Sequence, residues 1–255
     1  MFTHKGKFAW YELMTSDTQA AGKFYSDVVG WTTQEMPGGD GPPYTTFNID
    51  GVGIAGMLTI PGHTAWVGYI AVDDVDAHIE KVVEAGGKLL RPATDIPGML
   101  RFAVMADPQC ATIVLFTANP AMPSPQRPVP PAAGTIGWHE LNTTDIDAGF
   151  DFYSKLFGWT RLSDMDMGPM GLYRIFDEGD HKQMGDGGMM LKGPHMPVSS
   201  WTFYFCVDSI GAAVKRVESG GGKVMNGPMQ VPGGGWIITG QDPQGAMFSL
   251  VAGAE

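Results

Sequence analysis

The chain has 255 residues, 44% of them apolar and 17% charged, with a net charge of −11. That length is enough for two compact domains. The acidic balance excludes the basic footprint of a non-specific nucleic-acid binder. The 36 glycines and 19 prolines suit short strands joined by many turns, not a helical bundle.

In chain order, residues 8–15 alternate in part and carry aromatic and branched side chains, which predicts a strand. Asp17 can cap a helix over about 18–29, with Ala21, Phe24, Tyr25 and Val28 on its buried face and Gly30 ending it. Trp31 starts a second strand, and residues 37–43 read as a Pro/Gly loop. Residues 44–49 and 53–60 are strands around the Asp50-Gly51 turn. A second unit follows: strand 66–72, a helix capped by Asp73 or Asp74 with the stripe Val75, Ile79, Val82 and Val83, then strands 88–91, 100–106 and 112–117. Residues 119–134 hold proline at a density that blocks helix and central strand. We therefore expect a first domain over 1–119 (modules 8–60 and 66–117), a linker over 120–134 and a second domain over 135–255 (modules 136–191 and 201–251). The third module has an Asp145-headed helix, a loop over 164–171 rich in Met and Gly, strand 173–176, a Gly-rich loop over 177–188 and a short strand 189–191. In the fourth, Ile210, Val214 and Val217 mark a helix, with strands near 223–225, 235–239 and 246–251.

The two halves repeat. Trp10-Tyr11-Glu12-Leu13 returns as Trp138-His139-Glu140-Leu141, an offset of 138 − 10 = 128. Phe24-Tyr25 and Gly30-Trp31 return at the same offset as Phe152-Tyr153 and Gly158-Trp159. A shorter period lies beneath: Trp10/Asp17, Trp66/Asp73, Trp138/Asp145 and Trp201/Asp208 share one spacing. Asp107-Pro108-Gln109 is echoed by Asp242-Pro243-Gln244. Four strand-helix-strand-strand-strand modules, paired by tandem duplication, explain all of this.

On these residues the chain resembles the vicinal oxygen chelate superfamily of glyoxalase I, bleomycin resistance proteins and extradiol dioxygenases, in its two-domain glyoxalase-like branch. The resemblance implies an α+β fold: four βαβββ modules paired into two tandem open-barrel domains, each with its ligand inside a cup. It also implies a divalent metal held by His, Gln or Glu. The implied ligand positions fall on Trp10 and Trp138, on Trp66 or Val67 and Trp201 or Thr202, and on Val114 and Ser249. Indole and alkyl groups are not metal ligands, so we expect no metal at the usual place and no other cofactor. A slip of one residue would bring His139 to the cup, and a relocated metal would then need His63, His181 or His195 as partners.

What remains is an aromatic cup with one acid. Glu12 and Glu140 each stand in an otherwise apolar strand, where a buried carboxylate must be paired or protonated. Either could act as a general base or accept a ligand's hydrogen bond, or could simply brace the strand. Alternation puts Trp10, Glu12 and Met14 on one face, and Trp138, Glu140 and Asn142 on its counterpart. Tyr44, Tyr173 and Trp201 are candidate walls, and Arg101 is a candidate anion anchor beside Glu12. The function expected is binding of a small organic molecule, with an isomerase, lyase or dioxygenase as the alternative. No nucleic-acid or membrane partner is expected, a cytoplasmic location fits, and a homodimer is left open. Of the two halves, the second is expected to work, for its polar strand and its longer loops.

Overall fold

The structure, a computed structural model, describes residues 5–36, 43–121, 126–179 and 184–255. Residues 37–42 of the first predicted loop, His181 and the centre of the 177–188 loop lie outside it. The first module is β1 (Phe8–Thr15), α1 (Thr18–Val29), β2 (Thr32–Met36), β3 (Tyr44–Ile49) and β4 (Val52–Thr59). The second is β5 (Ala65–Ala71), α2 (Val75–Glu84), β6 (Lys88–Ile96), β7 (Leu100–Ala106) and β8 (Thr112–Ala118). The third is β9 (Ile136–Thr143), α3 (Ile146–Phe157), β10 (Thr160–Asp166), β11 (Leu172–Asp177) and β12 (Gly187–Leu191). The fourth is β13 (Ser200–Cys206), α4 (Ile210–Ser219), β14 (Lys223–Gln230), β15 (Trp236–Gln241) and β16 (Met247–Ala252).

The strands form two open eight-stranded sheets, ordered β2-β3-β4-β1-β5-β8-β7-β6 and β10-β11-β12-β9-β13-β16-β15-β14. Both are mixed: β1 runs parallel to β4 and β9 to β12, while the hairpins are antiparallel. The order is identical in the two sheets, as a duplication requires.

Helix starts follow from side chains. Asp17, Asp74 and Asp145 each accept a hydrogen bond from the backbone N–H three residues on, at 2.9, 3.1 and 3.0 Å. Gly30 and Gly158 end α1 and α3 at φ 89 and 78, where a β-carbon would be strained. Val83, expected on the apolar stripe of α2, is exposed; Val75 and Val82 alone are buried on that helix. Two strands run well past their predicted ends, and a third forms where a loop was expected. β6 continues through Pro92 and β14 through Pro228, each with a register shift that relieves the missing N–H. β10 takes up residues 164–166, so the Met-rich segment begins in a strand and ends in a short 3-10 turn at Gly168–Met170.

Contacts group the chain into two compact units. One holds Trp10–Trp66, Pro125–Trp138 and Thr202–Glu255; the other holds Met1–Ala9, Val67–Ser124 and His139–Trp201. Within the first, α1 packs on α4. Its core gathers Tyr25, Trp31, Phe47, Trp66, Phe205 and Phe248, with Trp31 and Phe205 centred 4.9 Å apart. At the centre, the Tyr25 hydroxyl accepts from Trp66 Nε1 (2.8 Å) and donates to Asp242 Oδ2 (3.1 Å). Within the second unit, α2 packs on α3. Trp159 stacks between Tyr153 at 4.9 Å and Phe176 at 4.7 Å. The Tyr153 hydroxyl accepts from Trp201 Nε1 (2.9 Å) and donates to Asp107 Oδ2 (3.1 Å). In both units the aspartate's Oδ1 also ties its own turn, accepting from Ala111 and Ala246 N–H at 2.8 Å. The repeated Phe-Tyr and Asp-Pro-Gln motifs are two halves of one device.

Candidate functional site

Alternation along β1 sorts its residues. Ala9, Tyr11 and Leu13 are buried, while Trp10, Glu12 and Met14 stay half-buried on the other face. Glu12 stands opposite Gly56 of β4. The Tyr44 ring lies over that glycine, so closely that a β-carbon there would overlap the hydroxyl. Tyr44 accepts a hydrogen bond from Trp10 Nε1 at 3.0 Å. Its phenol is pushed well above the ordinary value, by burial first and by the negative charge of Glu12 second. Trp10, Glu12 and Tyr44 therefore form one linked group. A fourth member was not foreseen. The Arg127 guanidinium lies over the Trp10 ring, 5.2 Å from its centroid, and Arg127 Nε donates to the Gly53 carbonyl at 3.0 Å.

The second sheet repeats the plan with different groups. Glu140 stands opposite Gly188, and the Tyr173 ring lies where a β-carbon on Gly188 would collide with it. Tyr173 donates to Glu140 Oε2 at 3.0 Å, and Asn142 Nδ2 donates to Oε1 at 3.3 Å. In the first half the residue matching Asn142 is Met14, two residues past Glu12. Trp138, two residues before Glu140 on β9, is half-buried. Glu140, Asn142 and Tyr173 are thus brought together.

Other candidates lie elsewhere. Trp201 is a core residue, only 7% exposed and bound to Tyr153. Its hydrogen bond explains the tryptophan that begins the fourth module, as Trp66 does for the second. Arg101 is on the surface. Asp76 grips its guanidinium at 2.8 and 2.9 Å and Asp95 adds a contact at 3.0 Å, so its charge is already compensated. An anion anchor on Arg101 is not what these contacts build. It lines an open cleft of about 430 Å³ with Asp73, Asp95 and Met99.

His139 also departs from the slipped-register reading. It is buried on the core side of β9, its ring centred 4.7 Å from that of Phe8, with Nδ1 2.9 Å from Glu178 Oε1. Glu178 Oε2 accepts from the Phe8 N–H at 3.1 Å. Burial pushes this carboxyl up, and the nearby histidine opposes the shift. His63 and His195 are exposed. Among the described residues no three His, Cys, Asp or Glu side chains converge to hold a metal. The residues at the positions implied for metal ligands do not fit one either: Val114 is buried core, and the Ser249 hydroxyl pairs with Thr239 at 3.1 Å. Among the described residues, no helix is long and apolar enough to cross a membrane.

The family model described as "Glyoxalase/Bleomycin resistance protein/Dioxygenase superfamily" matches residues 7–115 and 135–250. The chain belongs to this superfamily. Among its relatives is a Mycobacterium tuberculosis protein that carries the provisional name glyoxylase CFP32. It is 34% identical over 252 residues, 95% of this chain and 93% of the relative. The Streptomyces peucetius anthracycline biosynthesis protein DnrV is 32% identical over 266 residues, 96% of this chain and 93% of its own. A solved superfamily structure, the Mn(II)-bound glyoxalase from Novosphingobium aromaticivorans, superposes with a TM-score of 0.69 at 16% identity. It covers 99% of this chain and 83% of that one, a likeness of fold alone. Superfamily membership explains the module pattern.

Proposed function

We propose that this superfamily member binds a small organic molecule, and that its working surface is the Glu140 face of the second sheet. The observation that carries the reading is the oriented carboxylate. Glu140 is half-buried on an open sheet face, with one oxygen engaged by Tyr173 and the other by Asn142. A carboxylate fixed on both sides serves as a hydrogen-bond acceptor, and a phenol ring beside it offers a flat apolar contact. That pairing suits a modest organic ligand held by stacking and a few polar contacts. The counterpart around Glu12 has Met14 in place of the amide and is partly covered by Arg127. Of the two halves, the second is therefore the working one.

The relative DnrV is named for anthracycline biosynthesis. Aromatic polyketides thus belong in the first ligand screen, run by thermal shift beside an unbiased library. Glu140→Gln and Glu12→Gln are then compared for binding of the best hit by calorimetry. Glu140→Gln weakens it at least tenfold, about 1.4 kcal/mol, and Glu12→Gln changes it little. Equal losses, or a loss only with Glu12→Gln, would overturn the assignment, provided both variants melt like the parent.

A further inference from the structure

The linker's one arginine occupies a place that chemistry would otherwise assign to a ligand. Arg127 is half-buried, its guanidinium lies over an indole, and its Nε donates to a backbone carbonyl. Gly53 supplies that carbonyl, and a β-carbon on it would sit 3.5 Å from the Trp10 ring edge and 3.5 Å from Asn48 Oδ1. An aromatic face beside a carbonyl acceptor is what a planar cation needs. Burial works against the Arg127 charge, so the guanidinium is held there by its partners and not by solvent. Arg127 comes from the proline-rich stretch outside the sheet's own modules, with Pro128, Pro130 and Pro131 following it. A side chain delivered by a connecting segment can leave without unravelling a strand.

We infer that the Trp10 face is a binding site for a planar monovalent cation, a guanidinium or amidinium, which the chain's own Arg127 fills as a displaceable plug. This inference concerns the first half and stands apart from the reading of the Glu140 face. It accounts for two features of the first half together: the retained Trp10–Tyr44–Glu12 group, and a linker cation stacked on it. A molecule carrying a guanidinium or amidinium would compete with Arg127 for the indole and so open the face.

The test uses the full chain and methylguanidinium as probe, followed by calorimetry and by ligand-observed NMR. Arg127→Ala binds methylguanidinium saturably and at least tenfold more tightly than the parent does. N-Methylurea, the neutral shape analogue, binds neither. Adding Trp10→Leu to Arg127→Ala removes the binding. Should Arg127→Ala not fold, Arg127→Gln carries the same expectations, since it keeps part of the stem and drops the charge. Equal affinity of parent and variant, binding of methylurea as strong as that of methylguanidinium, or binding that survives Trp10→Leu would each overturn the inference. Loss of Glu140-face binding leaves it untouched, so the two proposals fail separately.

Discussion

Tyr153→Phe isolates the bond that ties the second and third modules together. The Tyr153 side chain is fully buried, and its hydroxyl joins Trp201 Nε1 at 2.9 Å to Asp107 Oδ2 at 3.1 Å. Removing it strands a donor and an acceptor in a dry core. Each unsatisfied group costs about 1–3 kcal/mol, so the two together cost roughly 2–6 kcal/mol before relaxation. Burial already pushes the Asp107 carboxyl up, so part of the loss is recovered when that carboxyl takes a proton. We expect a net loss of about 3 kcal/mol by chemical denaturation. The sharper readout is hydrogen exchange. Amides of β7, β8 and their turn should lose protection together with those of α3, although the proline-rich stretch separates them in sequence. A loss under about 0.5 kcal/mol, the usual scale of an inconsequential substitution, would refute the reasoning. So would lost protection confined to α3.

Two further outcomes follow from the same geometry. The Glu178 carboxyl is raised above its ordinary 4.5, mainly by burial, so just above that pH the folded chain binds more protons than the unfolded one. Its contribution is therefore fully present below 4.5 and lost as pH rises through the folded value. Measured by denaturation across that window, the parent should lose stability relative to Glu178→Gln as pH rises; a difference that stays flat or grows in the opposite sense would contradict it. Limited proteolysis should cut first between Pro120 and Ala133, and the two products should co-elute on gel filtration, because each compact unit draws on both sides of the cut. Early nicking within residues 60–66, or separate elution, would count against this.

Much of the fold was legible because it is periodic. The aspartate caps, the left-handed glycines after α1 and α3, and the 128-residue offset each have a local physical cause, so single residues marked the elements. Strand ends were less legible, since β6 and β14 run through proline by shifting register, which local sequence does not announce. At the candidate site, alternation was enough to set Trp10 and Glu12 apart from Tyr11 and Leu13, because it depends only on neighbours along a strand. At Trp201 the strand pattern leaves core and wall equally open; its hydrogen bond goes to Tyr153, which is 48 residues away in sequence. Arg127 was passed over for a similar reason. In a run of prolines it carries no periodicity, and only its position over Trp10 gives it meaning. The tyrosine of each Phe-Tyr pair and the aspartate of each Asp-Pro-Gln turn recur in equal number, as partners would.

The exchange of Tyr25 with Asp242 and Tyr153 with Asp107 is reciprocal: each half lends the other a tyrosine and receives one. Two separate copies of one half could make the same bonds across an isologous interface. Joining them in one chain replaces an encounter between molecules with an intramolecular closure, so stability no longer depends on protein concentration. It also removes a constraint. In a pair of identical chains every substitution appears twice, so both faces must serve the same purpose. A fused pair can break its symmetry one residue at a time, acquiring an amide at Asn142 where the other half keeps Met14.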